Sequence, residues 1–175
     1  MERLFLLDYK VKKQIVEIAL TAVGVMFQKL SRRSDEMKAE LAGWDDGRRF
    51  ALGILPHGPS VTLQYAGGRV KYLGKGVRDA DVAIYFKNID SALLVFTGQM
   101  GAHTAAIQCR TAIHGDLTYA MQMVRAMDIV VAYLMPGFMH GPLFKRPPKM
   151  GVKQQLVKAG AMIELPVGLI FNAAK

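Results

Sequence analysis

The chain is poor in the side chains that metal and redox chemistry use most. It holds one cysteine and four histidines in 175 residues. The lone thiol, Cys109, excludes an intrachain disulfide and fits a reducing compartment. His57, His103, His114 and His140 nowhere form a pair at metal-ligand spacing, and no Cys-x-x-Cys accompanies them. There is no P-loop, nucleophile elbow or Ser-x-x-Lys arrangement. Gly74-Lys75-Gly76-Val77-Arg78-Asp79 lacks the third glycine of a dinucleotide loop and precedes a strand rather than a helix. Low-complexity segments are absent. The longest apolar run of the first helix, Ile18 to Phe27 broken only by Thr21, is too short to cross a bilayer. No signal peptide is expected, because Glu2, Arg3 and Asp8 interrupt the early apolar run. Asn172-Ala173-Ala174-Lys175 is not a peroxisomal signal. These absences predict a cytoplasmic protein that is not an enzyme, needs no cofactor and meets the membrane only peripherally.

What is present is apolar surface and positive charge. Apolar residues make up 51% of the chain, enough for a buried core, and the net charge is +9. Residues 1–43 carry eight basic and six acidic residues, residues 44–136 nine and seven, and residues 137–175 six and one. The C-terminal part therefore holds +5 of the excess. Such a segment suits phospholipid headgroups, nucleic acid or an acidic partner, and equally a solvated basic end. No nucleic-acid recognition module accompanies it, and only Phe144 lies beside the basic linker, so nucleic acid is not an expected partner.

Period and punctuation predict the elements. Val11, Ile15, Ile18, Ala22, Met26 and Leu30 repeat at helical spacing over 9–33. Ser34 reads as the N-cap of a second helix, with Asp35 and Glu36 in its first turn and Gly43 at its end. The period then drops to two at Phe50-Leu52-Ile54, Val61-Leu63-Tyr65 and Val70-Tyr72, with turns at Pro56 to Pro59 and Gly67-Gly68. Asp81 to Phe86 and Gln108 to His114 supply two further strands, with Cys109 read as a small buried hydrophobe on the last. Between them Asn88 to Phe96 is a short helix stopped by Gly98. Leu117 to Met135 is a long helix stopped by Pro136-Gly137, and it is apolar nearly all round. Leu117, Ala120, Met121, Val124, Met127, Val131 and Leu134 make one expected apolar face, and Ile129, Val130 and Ala132 continue around it, leaving Gln122 and Arg125 as a thin polar stripe. Something besides the sheet must cover such a helix. The N-terminal helix, the apolar stretch Ala161 to Phe171 and a bound apolar ligand all qualify. Val152 to Ala159 reads as a short helix before that stretch. His114 is expected on the solvent side of its strand, and Asp116 as the cap of the long helix.

The order of Asp79-Ala80-Asp81 before a strand, Gly98-Gln99-Met100 after a helix, and Gly115-Asp116 before the last helix resembles the sterol carrier protein 2 family over about residues 45–136. The chain departs from the family at Cys109-Arg110 and at Ala102 to Ala106. The resemblance implies an α+β fold, a five-stranded mostly antiparallel sheet with helices packed on one face enclosing an apolar cavity. It divides the chain into an N-terminal helical extension (1–43), a lipid-binding core (44–136) and a basic and apolar C-terminal extension (137–175). It implies non-catalytic binding and transfer of a sterol, fatty acyl chain or similar lipid. The alternative is an accessory subunit that presents a lipid or quinone intermediate to partner enzymes.

Strand alternation and the over-apolar helix select Ile84, Phe86, Leu93, Phe96, Met100, Met121, Val124, Met127, Val131 and Met135 as the expected lipid-binding residues. Seven of eleven methionines fall between Met100 and Met150. Flexible thioethers suit a surface that must fit variable apolar shapes, or fill irregular gaps in a core. Lys145, Arg146, Lys149 and Lys153 are the expected membrane-contact residues. The expected partners are the apolar ligand, an anionic membrane surface met transiently and a second copy of the chain in a homodimer.

Overall fold

The computed structural model describes residues 8–135, 154–156 and 158–160. Helix α1 (Tyr9–Arg33) is followed by α2 (Asp35–Leu41), β1 (Arg49–Ile54), β2 (Ser60–Ala66), β3 (Arg69–Lys75), β4 (Val82–Phe86), α3 (Ile89–Phe96), α4 (Ala102–Ile107), β5 (Thr111–Gly115) and α5 (Leu117–Leu134). The five strands form one sheet in the order β3-β2-β1-β4-β5. All neighbouring pairs are antiparallel except β1 with β4. The expected α+β fold is therefore present, with one parallel joint.

Alternation sends Phe50, Leu52, Ile54, Val61, Leu63, Tyr65, Val70, Tyr72, Val82, Ile84 and Phe86 into a single apolar core with the helices. On the other face stand smaller or polar residues such as Ala51, Thr62 and Ala83. The connection from β3 to β4 crosses this back face. Thr62 Oγ1 donates to the Gly76 carbonyl (2.7 Å) and accepts from the Arg78 N–H (3.1 Å). The glycine-rich segment that superficially looks like a nucleotide loop is this crossover.

The motifs that carry the family resemblance hold the joints of the fold. Asp81 accepts from the Arg49 N–H through its carboxylate (2.8 Å) and donates its own N–H to the Arg49 carbonyl (3.0 Å). That double tie starts the parallel β1–β4 pairing. Gly115 lies against the Asp81 carbonyl with φ +97°, so a Cβ there would strike backbone. Asp116 caps α5 by accepting from the N–H groups of Thr118 (2.7 Å) and Tyr119 (3.3 Å). After α3, Gln99 and Met100 both donate their N–H to the Leu94 carbonyl. Ser34 caps α2 as expected, accepting from the Met37 N–H (3.3 Å).

Helix α1 packs on the helix side of the sheet, over β3 and β2. Gly24 lets its backbone approach the Tyr72 ring, because an added Cβ would lie 2.5 Å from Cδ2. The outer edge of β3 is capped by α1 side chains. Ser31 Oγ accepts from the Val70 N–H (3.1 Å) and Gln28 Oε1 from the Tyr72 N–H (2.8 Å). At its other end Lys12 reaches Asp90 in the first turn of α3 (2.8 Å).

Three expectations are corrected. The buried stripe of α1 is Val16, Leu20, Val23, Phe27 and Leu30, with Met26 beside it; Val11 and Ile18 are 39% and 61% exposed. The two apolar stripes differ by about one residue's rotation, and only the first meets the sheet. The fifth strand begins at Thr111, not Gln108, because residues 102–107 form α4. Cys109 consequently sits in the turn after α4, exposed and with φ +55°, instead of buried on a strand. Helix α2 ends at Leu41 with Ala42 as its C-cap, so Gly43 follows its end as expected.

Two outcomes are expected. Gly115→Ala should destabilise the protein by about 2 kcal/mol or more, since both φ and space forbid the methyl group, while Ser34→Ala should cost about 1 kcal/mol; chemical denaturation reads both. The second outcome concerns pH. Backbone hydrogen bonds hold the Asp116 carboxyl below its ordinary value of 3.8. The hydrogen bond from Tyr119 Oη, and then Arg48, lower Asp45 likewise. Both carboxylates thus bind protons more weakly in the folded state. Their stabilisation is complete above 3.8 and is lost as pH falls through the lowered values. Asp116→Asn should flatten that acid limb in a pH series of melting temperatures.

Candidate functional site

The expected ligand-facing residues come from four neighbouring segments. Ile84 and Phe86 are buried on the helix side of β4. Leu93 is buried on α3 and Phe96 is half-buried at its end, its ring 5.5 Å from Phe86 between centroids and nearly edge-on. Met100, half-buried, follows α3 and packs against the same core. Helix α5 supplies the rest. Asn88 caps α3 by accepting from the Ser91 N–H (2.8 Å), which fixes where Leu93 and Phe96 fall.

Burial along the expected stripe of α5 is graded. Leu117 is 63% exposed and Met121 42%. Val124 is half-buried, Met127 and Val131 are buried, and Met135 is half-buried just past the helix end. The stripe is thus open at the start of α5 and closed toward its end. The residues that meet the core most fully are Ala120, Met123, Ala126, Val130 and Tyr133, with Met127 alongside. Sequence reasoning misses Met123, Ala126 and Tyr133. The signal is available in their i, i+3, i+4 spacing, but the large side chains of the neighbouring stripe outweigh the small Ala126. Alanine is what lets a helix approach a sheet closely.

Helix α5 is covered by more than the sheet. It packs against α1, α2, β4 and β5. Residues 154–156 and 158–160 are helical, in line with the short helix expected there. Lys158 Nζ donates to the carbonyls of Ala132 (3.1 Å) and Met135, satisfying acceptors at the C-terminal end of α5. Burial pushes its ammonium below the ordinary lysine range. Gln154 donates to Glu36 of α2 (3.2 Å). The expected membrane-contact residues Lys145, Arg146, Lys149 and Lys153, and the apolar stretch 161–171, lie outside the described residues.

Polar groups near α5 form a clamp at its start. Tyr119 Oη donates to Asp45 Oδ2 (2.6 Å), Arg48 pairs with the same oxygen (2.8 Å), and the Arg48 guanidinium carbon lies 3.4 Å from the Tyr119 ring centroid. The shared hydrogen bond raises the Tyr119 phenol while it lowers Asp45. The clamp ties α5 to the segment before β1. His114 is exposed, as expected, beside the capping Asp116. Among the described residues no three of His, Cys, Asp and Glu group so as to hold a metal ion. None of the described helices is long and apolar enough to cross a membrane.

Among solved structures, a ubiquinone synthesis protein described as UbiJ-SCP2 is 15% identical, with 72% of this chain and 96% of that one covered and a TM-score of 0.43. A conserved hypothetical protein from Thermus thermophilus is 18% identical over 62% of this chain and 85% of its own, with a TM-score of 0.44. A crystal structure of sterol carrier protein 2 is 17% identical over 62% and 92%, with a TM-score of 0.47. No match was found among the curated proteins. The model of the SCP-2 sterol transfer family matches residues 27–128, from late in α1 through most of α5. The chain belongs to the SCP-2 sterol transfer family.

Proposed function

We propose that the protein binds apolar lipids between the sheet and helices α3 and α5, without catalysing a reaction on them, and passes them between membranes or partners. Family membership carries this reading. The graded apolar stripe of α5 supports it, because it leads from an exposed end at Leu117 and Met121 to a buried end at Met127 and Val131. The ligand contacts are Ile84, Phe86, Leu93, Phe96, Met100, Met121, Val124, Met127, Val131 and Met135. Residues 44–136 form the binding unit, flanked by the extensions 1–43 and 137–175, and α1 supplies apolar wall to the same core. Each methylene of an acyl chain or sterol buried there contributes about 0.8 kcal/mol. Methionines favour breadth of ligand over selectivity.

Native mass spectrometry of the purified protein tests the reading directly. Co-purified lipid, or uptake of a fluorescent fatty acid, is the expected result. A protein that stays empty and unresponsive, yet isolates in a stable complex with enzymes, would replace lipid carriage with the accessory role. Met127→Trp should abolish most uptake while the protein stays folded, with an overpacking cost of about 1–3 kcal/mol. Unchanged uptake would place the ligand elsewhere.

The basic cluster Lys145, Arg146, Lys149 and Lys153 is the proposed contact with anionic headgroups during loading. Each cation near such a surface contributes about 1 kcal/mol. Neutralising all four should weaken binding to anionic vesicles, and added salt should weaken the unaltered protein in the same way. Equal, salt-insensitive binding to neutral and anionic vesicles would leave the cluster a solubility feature.

A further inference from the structure

The two edges of the sheet are treated differently. At β3 the outward amides of Val70 and Tyr72 are taken up by Ser31 and Gln28, and Arg69 and Lys71 add charge along the strand. Capped and charged edges resist pairing with another chain. At β5 no such protection exists among the described residues. Lys87 donates its N–H to the Arg110 carbonyl (2.8 Å), which fixes the alternation of the antiparallel β4–β5 ladder. Ala112 and His114 turn their backbone groups toward β4, as does the Arg110 carbonyl, while the Arg110 N–H donates to the Ala105 carbonyl of α4 (2.8 Å). Thr111, Ile113 and Gly115 turn theirs away from the sheet. The same edge shows apolar surface on the helix side. Ile113 is 41% exposed, Ile107 of the preceding α4 is 77% exposed, and Leu117 and Met121 open the helix that follows.

We infer that β5 is a dimer edge, and that a second copy of this chain pairs with it antiparallel about a two-fold axis at Ile113. A two-fold contact brings the same strand to itself, so its pattern must be self-complementary. The β5 edge meets that requirement. Centred on Ile113, the register sets Thr111 opposite Gly115 of the second copy and Ile113 opposite its counterpart. All three positions present outward backbone donors and acceptors. The two Ile113 side chains meet on the helix side. The register also sets Arg110 of each copy opposite Asp116 of the other, so both ends of the ladder carry opposite charges. Registers shifted by one residue in the centre keep some backbone bonds but lose this match. The resulting sheet has ten strands, and its outer edges are the two capped β3 strands. The inference does not depend on the lipid reading.

The full chain should sediment as a dimer at high concentration and dissociate on dilution. In the dimer the amides of Thr111, Ile113 and Gly115 should exchange with solvent at least about tenfold more slowly than in the dilute protein. Ile113→Lys places a charge on the edge and should raise the dimer dissociation constant by more than about tenfold, with the circular dichroism spectrum unchanged. Arg110→Glu should weaken the dimer as well, by setting like charges opposite each other. A protein that is monomeric at every concentration overturns the inference. So does a dimer whose three amides exchange as they do on dilution, or one that survives both substitutions. The exchange measurement uses the unaltered chain and decides the matter even where Ile113→Lys folds poorly.

Discussion

The parallel contact between β1 and β4 is the constraint on which the rest depends. β1, β2 and β3 form from successive tight turns and need nothing distant. β4 and β5 follow in the chain with α3, α4 and α5, and they join the first three strands only through this one pair. Asp81 makes the joint by bonding the Arg49 peptide on both sides, and Gly115 brings β5 close enough to lie against Asp81. Once that joint is set, α5 falls across β4 and β5, and α1 spans from β3 to α3. The core between them is one continuous cluster.

This arrangement explains why the family is legible in a few residues while the proposed ligand site is not. Asp79-Ala80-Asp81, Gly98-Gln99-Met100 and Gly115-Asp116 are joints and caps, where geometry permits few alternatives. A binding surface for apolar molecules has no such demands, since any apolar side chain of suitable size serves. Its residues therefore leave no motif, only an excess of apolar character on α5. That excess is visible in the sequence, on the helix that packs against α1, α2, β4 and β5. The core contact overlaps the expected face at Ala120, Met127 and Val131 but is turned toward Met123, Ala126 and Tyr133.

The strands are legible because period two has only two faces. A one-residue error there would invert every side chain at once, so the pattern is sharp. Helix α1 shows the opposite case. Val11, Ile15, Ile18 and Ala22 make a respectable stripe, and so do Val16, Leu20, Val23 and Phe27. Periodicity alone does not rank them. Gly24 does: a glycine in the middle of a helix marks where another backbone or ring comes close, here Tyr72 of β3. Cys109 misleads for a related reason. The alternation Ile107, Cys109, Thr111, Ile113 looks like one strand, but Ile107 ends α4 and the chain turns at Cys109 before β5 begins.

The β3–β4 crossover behind the sheet has a further consequence for how the chain reaches its native state. The antiparallel meander closes through short loops, so its contacts are local and form early on the folding timescale. The crossover lies flat on Thr62, which belongs to that meander. Its docking therefore requires β2 and β3 to be in place already. Assembly thus has a direction: the meander serves as a template, the crossover is laid upon it, and only then does Asp81 meet Arg49 and admit the helical half.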